Sequence, residues 1–489
     1  MPDYSQHDII FALSSARGRS ALSLHRVSGN GVLERFAPFS GSINPNKTAN
    51  SSQRNDLHFF KHGLSKYVTI FDHDGAIIDD CVVTFYQGPR SFTGEDTIEI
   101  STHGNPLIVA RLHSLFRKSG MREAKPGEFT QRAFLNGKID LTRAEAIDQL
   151  IHAETEAGLD LARQASEGRI SEVANKLKDK LTSIMSYFEA HIDFADDEVG
   201  TYDSKSRISE LLEIELELKK LADSFSVGLK LREGLRISFL GTPNAGKSSL
   251  YNALLGFERA IVTDIPGTTR DVVEDKLKVN HCDFILMDTA GVRSTDDQVE
   301  KIGVARTIQS SSTADIVCVV IDPLTLDTNH FAASFKSETN SLISQLKPLR
   351  HQQVLYIFTK QDTWTAELRT TLETAMTELN SNGYKIICTS AALNDTSNLT
   401  TELERQYNDL LNQSFSSETA VLISQRQYDK TQLARQSLSS AIVLVKNNDF
   451  PEKVASMLIQ TAQHTSDIIG EIGTEDVLER IFSNFCIGK

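Results

Sequence analysis

The sequence predicts a mixed chain, part α/β and part all-α, in which a helical domain is interrupted by an inserted α/β domain. Short apolar runs bounded by turn residues fill the first part of the chain, which indicates strands with one or two helices between them. Two stretches with the helical period of apolar residues flank a middle region of near-continuous apolar runs. We therefore predict four segments, at 1–136, 137–228, 229–412 and 413–489.

The pattern of apolar residues predicts strands in the first segment and helices in the second. Four apolar runs predict strands in the first: DIIFALS, KYVTIFD, CVVTFYQ and DTIEIST. The polar stretch Ser42–Asp56, rich in Asn and Ser, predicts a flexible surface loop. In the helical stretches, apolar residues recur at spacings of three and four, as they do on one helix face. The clearest set is Ile170, Val173, Leu177, Leu181, Ile184, Met185, Phe188 and Ile192.

The middle segment alternates buried strands with helices, which predicts a doubly wound α/β unit. The five apolar runs are LRISFL (235–240), DFILMD (283–288), DIVCVVID (315–322), VLYIFTK (354–360) and KIICTS (385–390).

Composition and charge restrict the class of protein. Net charge is −14, from 51 basic and 65 acidic residues, so any contact with RNA needs a local basic patch or a partner. Five widely spaced cysteines, with no C-x-x-C pair, predict a reducing cytoplasm. The sequence has no run of 18 apolar residues and no signal-like start, so we expect neither a membrane span nor secretion.

The segment GTPNAGKSSL follows a predicted strand and precedes an amphipathic helix. Gly241, Gly246, Lys247 and Ser248 fill the pattern G-x-x-x-x-G-K-[ST], which in this context predicts a phosphate-binding loop. Glycines let backbone N–H groups cradle a pyrophosphate, the lysine reaches the β- and γ-phosphate oxygens, and the serine hydroxyl can ligate Mg²⁺.

Two further motifs follow predicted strands and favour GTP. DTAG, at 288–291, matches D-x-x-G, whose aspartate can hold Mg²⁺ through water and whose glycine amide can reach the γ-phosphate. TKQD, at 359–362, resembles the guanine-selecting N-K-x-D, because Asp362 can accept from guanine N1–H and the exocyclic amine. Thr359 replaces Asn and so removes an amide that could contact the base and hold the phosphate loop, which predicts retained guanine binding with lowered affinity.

Hydrolysis of GTP needs a positioned water and positive charge near the β–γ bridge. The position after DTAG is Val292, which cannot orient water, and Glu300 is the candidate that we favour. Its rivals on the same stretch are Asp296, Asp297 and Gln298. Most of these acids would also suit a solvated helix face. No arginine finger can be assigned, and Asn244 with the loop VTDIPGTTRD could instead coordinate a monovalent cation.

Six motifs extend over essentially the whole chain: GTPNAGKSSL, IVTDIPGTTRD, DTAGVR, RSFTGEDTIEI, KPGEFTQRAFLNGKIDLTRAEAI and FCIGK. Together they resemble the MnmE (TrmE) family of tRNA-modifying GTPases. The resemblance implies an N-terminal α/β folate-binding domain that forms a homodimer, a discontinuous helical domain and an inserted Ras-like P-loop GTPase domain. It also implies an FAD-carrying partner of the MnmG type. The implied substrate is tRNA, modified at C5 of the wobble uridine, position 34, to a carboxymethylaminomethyl or aminomethyl form.

The resemblance also implies that the protein binds GTP, Mg²⁺, K⁺ and a tetrahydrofolate derivative in its 5,10-methylene or 5-formyl form. The implied GTP-binding residues are Asn244, Ala245, Gly246, Lys247, Ser248, Ser249, Thr263, Asp264, Ile265, Pro266, Gly267, Thr268, Thr269, Asp288, Thr289, Ala290, Gly291, Thr359, Lys360, Gln361, Asp362, Ser390 and Ala391. The implied Mg²⁺ ligands are Ser248 and Thr269. The implied K⁺ ligands, which would supply the charge of an arginine finger, are Asn244, Thr263, Ile265 and Thr268. Glu300 matches the family's water-orienting glutamate.

Folate binding is implied for four residues: Arg26, Glu99, Lys138 and Lys489. A carboxylate such as Glu99 can pair with donors of a pteridine ring, and basic side chains can meet the carboxylates of a glutamyl tail. The loop SSARGRSALS is poorer in Gly and Pro than its family counterpart, so we expect its shape to differ.

The chain ends in FCIGK, and Cys486 could have three roles. Prenylation is disfavoured, because Gly488 and Lys489 fit a C-a-a-X box poorly. A buried structural cysteine is the ordinary alternative. The resemblance directs this tail to the folate pocket, which makes Cys486 a candidate catalytic thiol for the one-carbon unit.

One segment, RLHSLFRKSGMREAKPGEFTQRAFLNGK, is locally basic and predicts a surface that faces RNA phosphates, although an ordinary solvated surface fits equally well. Its basic members are Arg111, Arg117, Lys118, Arg122, Lys125, Arg132 and Lys138. The alternative function is a regulatory GTPase switch, in ribosome assembly or signalling, without chemistry of its own. The GTPase motifs alone do not separate the two functions, whereas SFTGED and FCIGK favour the modifying enzyme.

Overall fold

The computed structural model divides into two compact units. The first comprises 1–152, 162–220 and 423–489, and the second comprises 153–161 and 221–422. The residues that it describes are 8–42, 57–194, 196–199, 202–256, 274–287, 313–344, 353–414, 420–470, 478, 481–483 and 485–488. Most of the predicted loop Ser42–Asp56 lies outside them.

The helices of the described residues are, in chain order, α1 Val32–Phe36, α2 Pro106–Lys118, α3 Glu128–Leu135, α4 Leu141–His152, α5 Glu156–Ser166, α6 Arg169–Asp193, α7 Asp196–Val199, α8 Ile208–Glu233, α9 Lys247–Leu255, α10 Phe331–Ser344, α11 Ala366–Ser381, α12 Ser397–Ser414, α13 Gln425–Lys446 and α14 Pro451–Ile469. Among these helices, none combines the length and the apolar character that a membrane crossing requires.

A seven-stranded sheet lies in the first unit, with strand order β3-β4-β5-β6-β2-β1-β7. Neighbouring strands pair antiparallel, except that β1 and β7 are parallel. All four predicted strands of this segment are present. The strands are β1 Ile10–Leu13, β2 Leu22–Ser28, β3 Ser40–Ser42, β4 Ser65–Phe71, β5 Ile77–Tyr86, β6 Thr97–His103 and β7 Arg122–Glu123.

The helical part of the first unit has its own apolar core, built by α6, α8, α13 and α14. The predicted period of α6 is confirmed, because Leu177, Leu181 and Phe188 are fully buried in that core, whereas Ile192 at the helix end is exposed. The helices come from both sides of the inserted segment, as the predicted discontinuous helical domain requires.

The second unit contains a six-stranded sheet with strand order β13-β12-β11-β8-β10-β9, parallel except for the pair β9 and β10. Alternate residues of the central strand β11 enter two separate cores, for example Cys318 and Val319, so both faces of the sheet are covered. The predicted α/β fold of this unit is confirmed. The strands are β8 Leu235–Leu240, β9 Glu274–Val279, β10 Cys282–Met287, β11 Ile316–Ile321, β12 Gln353–Phe358 and β13 Ile386–Cys388.

Candidate functional site: a phosphate loop and a second, tail-lined site

The predicted phosphate loop joins the end of β8 to the start of α9. Two of its residues are left-handed, Asn244 with φ 62° and Gly246 with φ 98°, and such residues shape backbone N–H groups into anion-binding concavities. The ammonium of Lys247 donates to the carbonyls of Gly241 and Thr242, at 2.8 Å each. Burial lowers the pKa of Lys247. The loop thus holds its own lysine beside the positions where phosphate oxygens would bind.

Thr359 holds the phosphate loop from the end of β12. Its hydroxyl donates to the carbonyl of Ala245 at 2.7 Å, and both residues are buried. A Cβ added at Gly246 would lie 3.3 Å from the same hydroxyl, which is tighter than ordinary contact. With threonine in place of Asn, the hydroxyl therefore supplies a donor to the loop, and the lowered affinity for guanine stays a prediction.

The residues predicted to recognise guanine follow the carboxyl ends of β12 and β13, and Asp322 follows the carboxyl end of β11. Ser390 donates to one oxygen of Asp362 at 2.6 Å, which orients the carboxylate. Lys360 is left-handed, with φ 59°, and its ammonium donates to Asp322 at 2.7 Å. Asp322 was not among the predicted residues, although an aspartate directly after a buried strand was a usable signal.

Several predicted residues of the GTP site lie outside the described residues, and their roles stay predictions. They are Thr263, Asp264, Ile265, Pro266, Gly267, Thr268, Thr269, Asp288, Thr289, Ala290, Gly291 and Glu300. Ser248 and Ser249 are described, and both occupy the first turn of α9.

A second polar site lies on the sheet of the first unit. Arg26 and Glu99 are cross-strand partners on β2 and β6, and the guanidinium donates to one carboxylate oxygen at 2.8 and 3.1 Å. The same guanidinium lies over the rings of Phe92 and Phe129, with 5.0 and 5.8 Å to their centroids. Aromatic faces attract a cation, so both rings fix this side chain. The sequence analysis missed both phenylalanines, although they stand inside its motifs SFTGED and PGEFTQ.

Lys138 extends over the loop that carries SFTGED. Its ammonium donates to the carbonyl of Pro89 at 2.8 Å. Lys138 therefore contacts the loop that bears Phe92, the ring on which Arg26 stacks. Lys489 lies outside the described residues.

The C-terminal tail contacts the end of β1, the strand beside β2. Ser14 donates to the carbonyl of Gly488 at 3.0 Å, and the amide of Gly127 donates to the carbonyl of Cys486 at 3.4 Å. Gly488 has φ 94°, and a Cβ there would lie 2.5 Å from the carbonyl of Leu13. Only glycine fits this close approach of two backbones.

Two aromatic residues hold the tail in place, and they leave its thiol accessible. Phe482 and Phe485 are buried in one small core, with ring centroids 5.3 Å apart. Cys486 is the exposed member of the described cysteines, and its Sγ lies 3.9 Å from Nε2 of His152. On the other side of that ring, Nδ1 lies 3.3 Å from a carboxylate oxygen of Asp148. The reading of Cys486 as a buried structural cysteine is therefore wrong.

Carboxylates pair with three basic residues of the predicted patch, Arg117, Arg122 and Arg132. Arg132 is only 9% exposed and pairs with Asp8, Glu95 and Glu128 at 2.5, 3.1 and 3.2 Å. Arg122 pairs with Asp8 and Glu128 at 2.7 and 2.6 Å. The prediction that Arg132 faces RNA phosphates is wrong. Arg122 likewise forms ion pairs within the first unit. The role stays a prediction for Arg111, Arg117, Lys118, Lys125 and Lys138.

A phosphate loop between a buried parallel strand and a helix, with a guanine-type motif at the end of a later strand, defines a P-loop GTPase. The sequence profile described as the MnmE helical domain matches residues 141–486, and that of the GTP-binding protein TrmE N-terminus matches residues 9–138. The chain belongs to the MnmE family, as the motifs predicted.

Curated relatives similar over nearly the whole chain carry the name tRNA modification GTPase MnmE. One from Aquifex aeolicus is 35% identical over 485 residues, which cover 98% of this chain and 99% of the relative. One from Thermotoga maritima is 33% identical over 488 residues, with 99% and 100% covered. A solved GTP-binding protein from Sulfolobus solfataricus, in complex with GDP, is 16% identical over 63% of this chain and 78% of its own, and its TM-score of 0.28 is too low to carry an argument.

Proposed function

We propose that this chain is a GTPase that acts in the modification of tRNA, at C5 of the wobble uridine, position 34. The observation that carries the proposal is the presence of two unlike sites in one chain. One is the phosphate loop held by Thr359, and the other is the Arg26–Glu99 pair, on the sheet that contacts the tail with its exposed thiol. A regulatory switch requires only the first site. The names of the curated relatives support the same reading.

In the GTP site, Lys247 exchanges its two carbonyl acceptors for β- and γ-phosphate oxygens. The hydroxyl of Ser248 and that of Thr269 would hold Mg²⁺, and Glu300 orients the attacking water. Asn244 is left-handed inside the loop, and its amide offers the hard oxygen that a K⁺ ion takes. The proposed K⁺ ligands beyond it are Thr263, Ile265 and Thr268. Bound K⁺ would supply positive charge near the β–γ bridge, as an arginine finger does in other GTPases.

In the second site, Glu99 has one carboxylate oxygen paired with Arg26, and the other has no hydrogen-bond partner within the described part of the chain. That oxygen can accept from a pteridine ring, so the residues present fit a tetrahydrofolate derivative. Lys138, and Lys489 beyond the described residues, would meet its carboxylates. The bound 5,10-methylene or 5-formyl form would supply a one-carbon unit, and Cys486 would handle that unit. We propose a homodimer and an FAD protein of the MnmG type as partners, in the cytoplasm.

Nucleoside analysis of the wobble uridines in a strain without this protein tests the proposal. We expect the modified uridine to disappear, the full chain to restore it, and Lys247→Ala not to restore it. Unchanged wobble uridines, with GTP hydrolysis intact in the purified protein, would instead support the regulatory switch. Turnover in K⁺ and in Na⁺ tests the cation separately, because equal rates contradict the assignment of the K⁺ ligands.

A further inference from the structure

A cluster of three metal-binding residue types lies in the second unit, apart from the phosphate loop. His281 and Cys282 stand at the turn between β9 and β10, and Glu404 projects from α12. One ligand atom from each lies within 4.8 Å of the other two. The phosphate loop follows the carboxyl end of β8. Because β10 runs parallel to β8, the beginning of β10 lies at the opposite ends of the strands.

Two of the ligands, His281 and Glu404, are already oriented by an asparagine each. Nε2 of His281 lies 3.0 Å from the side-chain oxygen of Asn408, so it carries the proton and leaves the lone pair on Nδ1. That Nδ1 is the atom 3.9 Å from the carboxylate of Glu404. The other carboxylate oxygen accepts from the amide of Asn280 at 3.1 Å. Hydrogen bonds of this kind, to the far side of a ligand, are the outer shell that orients metal-binding residues.

We propose that His281, Cys282 and Glu404 bind one Zn²⁺ ion, with solvent in the fourth position. Sulfur, imidazole nitrogen and carboxylate oxygen are the ligands that Zn²⁺ takes, at about 2.0–2.3 Å. In a tetrahedral site such ligands lie roughly 3.5 Å apart, so the three atoms need to approach by about an ångström. The exposed imidazole of His281 and the half-buried carboxylate of Glu404 can move that far, while Cys282 is fully buried in the strand.

The bound ion would tie the hairpin of β9 and β10 to α12. This hairpin is the segment between two stretches that are predicted to bind GTP, IVTDIPGTTRD and DTAGVR. Zn²⁺ would therefore stabilise the second unit at the strand ends opposite the phosphate loop, and it would not take part in hydrolysis. The proposal does not depend on a role in tRNA modification.

Cobalt substitution on the full chain tests the site. The protein carries Cys486→Ser, because that exposed thiol beside His152 could bind metal on its own. Mg²⁺ in excess occupies the phosphate loop position, and Co²⁺ is titrated without nucleotide. We expect one equivalent of Co²⁺ to give a thiolate-to-cobalt charge-transfer band and intense tetrahedral d–d bands, both abolished by Zn²⁺.

Variants then assign the ligands. Cys282→Ala should abolish the charge-transfer band, and His281→Asn, at an exposed position, and Glu404→Gln, at a half-buried one, should weaken Co²⁺ binding by about 10-fold or more. The matched control is His330→Asn, an exposed histidine beside Asp327 in the same unit, which should change nothing. Absence of the band in the Cys486→Ser protein overturns the proposal, and so does a band that survives both His281→Asn and Glu404→Gln.

Discussion

The hydroxyl of Thr359 donates to the carbonyl of Ala245 at 2.7 Å, from the end of β12 to the middle of the phosphate loop. An asparagine at this position has two N–H donors, and a threonine has one hydroxyl. The single donor is used on the loop, so none is left for the base edge. We therefore expect the replacement to preserve the shape of the loop and to reduce only direct contact with guanine.

Replacement of Thr359 by valine should expose the importance of this bond. Valine has the same shape but no donor, so the buried carbonyl of Ala245 would lose its partner at a cost of about 1–3 kcal/mol. We expect a lower free energy of unfolding in urea and faster dissociation of GDP. Thr359→Asn should restore both. The control is Thr363→Val, whose exposed hydroxyl donates to Lys360. A valine variant as stable as the parent would show that the bond contributes nothing.

Base selectivity should depend on Asp362. Its carboxylate, oriented by Ser390, would accept two hydrogen bonds from guanine. In Asp362→Asn, one acceptor becomes a donor, so GTP affinity should fall roughly 100-fold or more while xanthosine triphosphate, which has an oxygen in place of the amine, should bind better. Competition against a fluorescent guanine nucleotide measures both. Parallel losses for the two nucleotides would mean that Asp362 does not contact the base.

The strands of the second unit were largely predictable, because five of them are buried on both faces and appear as apolar runs. The sixth, β9, was not predicted. Its sequence EDKLKV alternates charged and apolar residues at the antiparallel edge of the sheet, where one side is solvated. Local composition alone did not reveal that pairing.

A site was predictable where one contiguous motif supplies all of its residues, as in the phosphate loop. It was not predictable where distant residues meet. The stacking of Arg26 on Phe92 and Phe129, and the burial of Arg132 among carboxylates, follow from tertiary contacts between segments far apart in sequence. A count of basic residues along the chain therefore overestimated the charge that the first unit presents to RNA.

Acid should destabilise the first unit through a buried histidine. His25 is fully buried, 3.2 Å from His113 and from Thr102, and burial, aided by His113, lowers its pKa from 6.5 to about 3. Between those values the unfolded chain binds a proton that the folded chain does not, so stability falls as pH drops below about 6.5. The loss is on the order of 2 kcal/mol at pH 5.

Replacement of this histidine tests the assignment. His25→Gln keeps polar contacts but cannot titrate, so its thermal midpoint should depend less on pH between 6.5 and 5 than that of the parent. His58→Gln, at an exposed position of the same unit, is the control. If both variants show the same pH slope as the parent, other groups cause the acid sensitivity.

Folate binding should depend on the carboxylate of Glu99. In Glu99→Gln, the ion pair with Arg26 and one acceptor for the pteridine are lost, so we expect about a 10-fold or greater loss of affinity for 5-formyltetrahydrofolate in calorimetry. GTP turnover should not change, because the residue is not in the GTPase unit. Glu123→Gln, which removes the pair between Arg117 on α2 and Glu123 on β7 of the same sheet, is the matched control. Equal affinities in all three proteins would remove Glu99 from the folate site.

A variant of Cys486 in the tail gives the clearest test of whether the two sites have separate functions. Cys486 lies in the first unit, exposed beside His152, and the phosphate loop lies in the second. Cys486→Ser changes one atom and keeps the contacts of the tail backbone with Ser14 and Gly127. We therefore expect unchanged GTP hydrolysis and loss of the modified wobble uridine in the complemented strain. Cys388→Ser, at a half-buried thiol of the GTPase unit, should retain both. Wild-type modification in the Cys486→Ser strain would mean that the thiol is dispensable and that the tail acts only by packing.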